Sequence, residues 1–151
     1  MKIHLPVDFL AGDKFDASSQ VKEFNLNTGI PDGWAGYDIG PQTIKENSEA
    51  VRRAKTIVWN GPQGVFEIEK FRAGSIALLN DIMTATANGA TSIVGGGDSV
   101  ALVQTQKGAE QRLSHVSTGG GASLELLEGK ILPGLDYLTN KEDLDKILRT
   151  A

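Results

Sequence analysis

The sequence predicts an α/β fold, with a parallel sheet covered by helices on both faces. Three observations carry this. Two triple-glycine turns, Gly95–Gly97 and Gly119–Gly121, each follow a short apolar run and precede a helix-like stretch. Strand-like and helix-like segments alternate, with no hairpin signal between the main strands. The length of 151 residues suits one α/β domain.

Lys2–Pro6 (KIHLP) reads as an opening strand. Asp13–Thr28 is polar and loop-rich, with Val21, Phe24 and Leu26 spaced to pair as a small ribbon. Gly29–Pro41 is dense in glycine and proline and reads as an ordered loop. Gln42–Lys55 carries Ile44, Val51 and Ala54 at helical spacing, with Pro41 as a first-turn residue. Thr56–Trp59 is a short buried strand ending at Asn60-Gly61-Pro62. Within Phe66–Asn88 lies a helix with Phe71, Ile76, Leu78, Leu79, Ile82 and Met83 on its apolar side and Gly89 just past its end. Thr91–Val94 is a strand, and Asp98, after the first glycine triplet, stands where a helix N-cap would be. Leu113–Thr118 is another strand, followed by the second triplet, a helix over Ala122–Glu128, and Gly129 to stop it. Asn140–Thr150, with Leu144, Ile147 and Leu148, reads as an amphipathic tail helix.

A glycine triplet at a strand-to-helix junction brings bare N–H groups close to a ligand. Those groups lie at a helix N-terminus, where unpaired donors and the helix dipole favour an anion. Ligands of parallel α/β sheets sit at the carboxyl ends of the strands. Both triplets, Asn60 and Gly61 fall at such ends, so convergence on one phosphate-binding crevice is expected.

Composition narrows the function. The net charge of −4 gives no basic face for nucleic acid. Cysteine is absent, which removes disulfides and thiolate metal sites and suits a reducing compartment. The apolar runs are too short to span a membrane, and MKIHLPVDFL lacks the pattern of a signal peptide. The dinucleotide fingerprint fails, because Leu124 stands where Gly119 and Gly121 would require a third glycine. A nicotinamide oxidoreductase is thereby disfavoured. Walker A fails too, since Gly129-Lys130 is followed by Ile131. No nucleophile elbow occurs, and His4 and His115 are too far apart in sequence to suggest zinc.

The strings WNGPQGVFEIEKF (Trp59–Phe71), IVGGGDS (Ile93–Ser99) and SHVSTGGGASLELLEGKILPG (Ser114–Gly134) resemble the carboxyl-terminal, nucleotide-binding lobe of the phosphoglycerate kinases. LPVDF (Leu5–Phe9) and GIPDGWAGYDIGP (Gly29–Pro41) match the same family in the same order. The resemblance implies a Rossmann-like three-layer lobe, here an incomplete half-lobe. Residues 1–139 would form the carboxyl-terminal part of that lobe, and 140–151 a helical tail. The amino-terminal lobe, with its basic patch for the phosphoglycerate, is expected to be absent, as is the first half of the nucleotide lobe. A start at Met1 inside a domain would then mark a fragment.

The resemblance also implies roles. Gly36 and Tyr37 would border the adenine, although the family usually has an aliphatic side chain where Tyr37 stands, and a buried loop aromatic is the alternative. Asn60 would lie near the nucleotide, or form an Asx turn before Gly61-Pro62. Glu67 would accept the ribose hydroxyls as an acceptor-only carboxylate; an ordinary surface glutamate is the alternative. Gly95, Gly96 and Gly97 would offer backbone N–H groups to phosphate. Asp98 would hold Mg²⁺, which takes one or two carboxylates together with phosphate oxygens, or else cap a helix. Ser99, where the family commonly has threonine, would keep a hydroxyl for phosphate. Thr118, Gly119, Gly120 and Gly121 would form the catalytic turn that steadies the transferring phosphoryl group; tight strand–helix packing is the other use of such glycines. His115 is expected to be structural or a hinge, and Trp34 and Trp59 to be core residues.

The implied substrates are ADP and ATP with Mg²⁺, and 3-phosphoglycerate with 1,3-bisphosphoglycerate once the other lobe is present. The parent glycolytic reaction moves a phosphoryl group reversibly between 1,3-bisphosphoglycerate and MgADP. The parent is expected to be a cytoplasmic monomer, with plastid and glycosome as the alternative compartments. This chain alone is expected to lack useful kinase activity. A broken sheet exposes an apolar edge, so self-association or pairing with the complementary half is the alternative expectation.

Overall fold

The computed structural model describes residues 2–141, 143 and 144. The chain forms two compact units, dividing between Thr118 and Gly119. The first holds two three-stranded sheets. One is antiparallel, built from β1 (Asp8–Gly12), β2 (Val21–Asn25) and β3 (Ala35–Ile39) in the order β2-β1-β3. The other is parallel, built from β4 (Thr56–Asn60), β5 (Thr91–Gly95) and β6 (His115–Ser117) in that order. Helix α1 (Pro41–Arg53) links the sheets, α2 (Ala73–Ala87) joins β4 to β5, and α3 (Gly97–Thr105) leads from β5 toward β6.

This is the expected alternation of parallel strands and helices. The core gathers Ile57, Trp59, Leu79, Ile82, Val94 and Leu102. Strand β4 alternates, burying Ile57 and Trp59 and exposing Thr56, Val58 and Asn60, as a period of two requires. Helix α2 ends as foreseen. Gly89 N–H bonds Thr86 O at 2.9 Å and Ala90 N–H bonds Ala85 O at 3.0 Å, the paired bonds of a Schellman end.

The antiparallel sheet goes beyond what the sequence suggested. The anticipated strand at Lys2–Pro6 does not form. Pro6 has no N–H for a ladder, and the Val7 N–H is taken by Thr43 Oγ1 at 3.0 Å. The first strand therefore starts at Asp8. The stretch Gly29–Pro41, expected to be all loop, contains β3, which pairs with β1 with an irregularity at Leu10/Ala11. The small ribbon is real as β2, which carries Val21 and Phe24 while Leu26 lies just past it. Phe71 sits on a 3₁₀ turn before α2 and is fully buried there. Trp59 is core, but Trp34 is not: it packs edge-on to Phe24 beneath the Lys22 ammonium, 4.7 Å from its ring.

Two carboxylates close helices from a distance. Asp8, on β1, accepts the N–H groups of Gln42 and Thr43 in the first turn of α1, each at 2.8 Å. Gly40 makes room for it, because a Cβ there would fall 2.3 Å from Asp8 Cγ. Asp38, on β3, is buried and accepts Gly74 N–H of α2 at 2.8 Å. Between the two helices, Asp81 pairs with Ser48 Oγ and with Arg52 at 3.2 Å.

The second unit contains α4 (Gly120–Leu127) and α5 (Pro133–Asp136). Gly129 stops α4 as expected, with Gly129 N–H on Leu126 O and Lys130 N–H on Glu125 O, both at 3.0 Å. Leu124, Leu126, Leu127 and Ile131 of this unit are exposed. Of the tail helix anticipated over Asn140–Thr150, Lys141, Asp143 and Leu144 are helical and Asn140 Oδ1 accepts Asp143 N–H at 2.9 Å as an N-cap would; residues 142 and 145–150 lie outside the described residues.

Candidate functional site

The parallel sheet ends level. Asn60 of β4 is in register with Gly95 of β5, and Gly95 with Ser117 of β6. Gly96 N–H then reaches Ser117 O at 3.1 Å and carries the ladder one residue further. Gly96 has φ +97°, and a Cβ there would meet Asn60 Oδ1 at 2.6 Å. Only glycine satisfies both demands, so the Asn60 amide rests directly against the bend.

Helix α3 opens on this bend. Gly96 is its N-cap residue and no side chain caps it, which leaves first-turn N–H groups directed outward. Gly97 is exposed, with open space where a Cβ would lie. Asp98 is not the N-cap the sequence suggested. It stands inside the first turn, exposed, because the triplet itself makes the turn and the helix begins at Gly97. Ser99 is fully buried, and its Oγ accepts Gly61 N–H at 2.8 Å. In this structure its hydroxyl holds the loop after β4.

A second group lies around β3. Gly36 is exposed and Tyr37 is half-buried. The Tyr37 ring packs against Phe71 at 5.0 Å and Phe15 at 5.5 Å. Tyr37 O accepts Val65 N–H at 2.8 Å. Glu67 is exposed in the turn that follows, closed by Ile68 N–H on Val65 O at 3.1 Å, and not on a helix. The loop Gly61–Ile68 therefore joins the two groups, starting at Ser99 and running past Tyr37 to Glu67.

Thr118 is exposed at the end of the first unit, just beyond β6. Within the second unit Gly119 is the N-cap residue of α4, Gly120 is buried and Gly121 is exposed. Ser123 Oγ donates back to Gly119 O at 2.8 Å. His115 is exposed on β6.

Comparison with known proteins decides the family. The family model for phosphoglycerate kinase matches residues 1–130. This chain belongs to the phosphoglycerate kinase family. It is 62% identical over 144 residues to a phosphoglycerate kinase of Tetrahymena thermophila, covering 95% of this chain and 34% of that one. It is 54% identical over 140 residues to phosphoglycerate kinase 1 of Homo sapiens, covering 93% and 33%. Among solved structures, phosphoglycerate kinase from Coxiella burnetii superposes with a TM-score of 0.76 at 40% identity, over 84% of this chain and 32% of that one. That from Pyrococcus horikoshii OT3 gives 0.72 at 36%, over 87% and 31%. The chain thus spans about a third of the length of these kinases.

Several residues that tie these elements together give little local signal in the sequence. Asp8, Asp38, Thr43 and Ser75 all act across long sequence distances. Asp38 left one trace, a charged residue inside the apolar run Tyr37–Ile39. For magnesium, Asp98 fits: it is an exposed carboxylate beside outward N–H groups. Among the described residues no three acidic or histidine side chains cluster to form a cage. A cation here would use this carboxylate with the oxygens of its nucleotide, the coordination magnesium takes.

Proposed function

We propose that this chain supplies the nucleotide-binding face of a phosphoglycerate kinase and binds MgADP and MgATP. The observation that carries the reading is the level row Asn60, Gly95 and Ser117, from which α3 opens with outward N–H groups and Asp98. A helix N-terminus at the carboxyl ends of parallel strands favours a phosphate. Gly95–Gly97 would bind phosphate through backbone donors, Asp98 would hold Mg²⁺, Glu67 would accept the ribose hydroxyls and Gly36–Tyr37 would border the base. Bound magnesium would neutralise charge on the phosphates.

In the parent reaction the terminal β-phosphate oxygen of ADP attacks the acyl phosphate of 1,3-bisphosphoglycerate in line. A P–O bond forms to ADP while the bond to the C1 carboxylate breaks, giving ATP and 3-phosphoglycerate. No base is needed, because ADP attacks through an oxygen that carries no proton. Catalysis is positioning together with electrostatic stabilisation of the moving phosphoryl group. Thr118 and Gly119–Gly121 are assigned to that group. The cationic partners belong, by resemblance, to segments outside this chain, so the chain alone is expected not to turn over.

The test is a two-dimensional amide NMR titration of the chain with MgADP, repeated on Asp98→Asn. Shifts confined to Asn60, Glu67, Gly95–Ser99 and Thr118–Gly121, weakened in Asp98→Asn, are the expected result. A spectrum that MgADP leaves unchanged overturns the reading.

A second reading, association with another copy or with a complementary half, is favoured by the outer edge of β4. Among the described residues no strand pairs with it. Val58 is 41% exposed there, and a groove of about 380 Å³ lined by His4, Val51, Val58, Asn60 and Leu78 runs beside it. A monodisperse monomer in light scattering would count against it.

A further inference from the structure

Loop Gly61–Ile68 starts at a strand end and delivers Glu67. Two of its first four residues are glycine, so an untethered loop would be loose. Its backbone N–H groups are tied in sequence. Gly61 N–H bonds Ser99 Oγ at 2.8 Å. Gln63 and Gly64 N–H groups both bond Ser75 Oγ, at 2.9 and 3.2 Å. Val65 N–H bonds Tyr37 O at 2.8 Å. The middle tether is a single side-chain oxygen, 0% exposed, that accepts two donors and so fills both lone pairs.

Nothing in α2 itself calls for serine there. Ser75 is the third residue of α2, no side chain caps that helix, and both bonds that the hydroxyl accepts come from the loop. We propose that Ser75 is a positioning residue of the nucleotide face, its buried hydroxyl presetting the loop so that Glu67 meets the ribose without first having to be ordered; this rests on the nucleotide reading above. Order built into the free protein is not paid again at binding.

The test compares wild type with Ser75→Ala and Ser75→Thr in MgADP titration and amide hydrogen exchange. Ser75→Ala is expected to keep the exchange protection of Ile82 and Val94 in the core. It should lose protection at Gln63 and Gly64 and bind MgADP about tenfold more weakly. Ser75→Thr, which retains the hydroxyl, should restore both. If Ser75→Ala does not fold, Ser75→Cys, similar in shape with a much weaker acceptor, takes its place with the same expectation. Wild type that binds MgADP while the Ala or Cys variant binds equally well overturns the proposal alone. So does weakened binding that only tracks loss of core protection. Wild type that ignores MgADP overturns the nucleotide reading and this proposal with it.

Discussion

Asp8 closes the first turn of α1 by accepting the N–H of Gln42, a residue 34 positions further along the chain. The same carboxylate takes the Thr43 N–H and hydroxyl. Partial burial pushes its pKa up, but the Thr43 hydroxyl and the N–H groups of Gln42 and Thr43 outweigh that and leave it below the ordinary value. A depressed folded pKa stabilises above the unfolded value and is lost as pH falls through the folded one. Asp8→Ala should therefore destabilise by about 1 kcal/mol at neutral pH. The gap to wild type should close below about pH 4. Urea unfolding at several pH values measures it; a gap that persists in acid would refute the account.

Asp38 should behave in the opposite sense. Burial lifts its pKa above the ordinary value, against the N–H groups of Gly74, Ile39 and Ala73, which pull it down. A raised folded pKa stabilises below the unfolded value and loses that contribution as pH rises through the folded one. Carboxyl ¹³C titration should place the Asp38 midpoint above about 3.9 and the Asp8 midpoint below it. Midpoints in the reverse order would show that burial does not dominate at Asp38.

Neighbouring glycines in the first triplet should respond differently to alanine. Gly96 combines φ +97° with a blocked Cβ position against Asn60, whereas Gly97 faces open space. Gly96→Ala is expected to destabilise on the order of 1–3 kcal/mol. Gly97→Ala should stay within about 0.5 kcal/mol of wild type. Thermal unfolding of the pair checks this, and equal losses would contradict it.

The β4 edge gives a prediction about assembly. Edge strand β2 carries Lys22 and Glu23, while β4 (TIVWN) has no charge to deter pairing. Val58→Lys should reduce any self-association seen by light scattering at micromolar to millimolar concentrations and leave Tm nearly unchanged. Undiminished association would move the contact elsewhere on the molecule.

What could be read from the sequence followed its local signals. The triplet at Gly95–Gly97 and the stops at Gly89 and Gly129 were legible because a left-handed or crowded backbone position demands glycine within a few residues of its cause. Strands β4, β5 and β6 were legible as apolar runs ending in turn residues. β3 was hidden because Gly36 and Gly40 flank a Tyr-Asp-Ile run that reads as loop chemistry, and its partner β1 is supplied from more than twenty residues away. Ser99 looked like a phosphate ligand by resemblance; its bond to Gly61 depends on a 38-residue separation that no local pattern records. Asp8, Asp38 and Ser75 were missed for the same reason.

The register Asn60–Gly95–Ser117 bears on how this chain can change length. Side chains of a strand alternate between faces, so inserting or deleting one residue within β5 would turn Val94 out of the core and shift the glycine bend by about 3.3 Å. The surface turn around Lys107 and Gly108 has no such partner rows to keep in step. Insertions and deletions should therefore collect at such connections, while β5 holds a fixed residue count between Thr91 and Gly95.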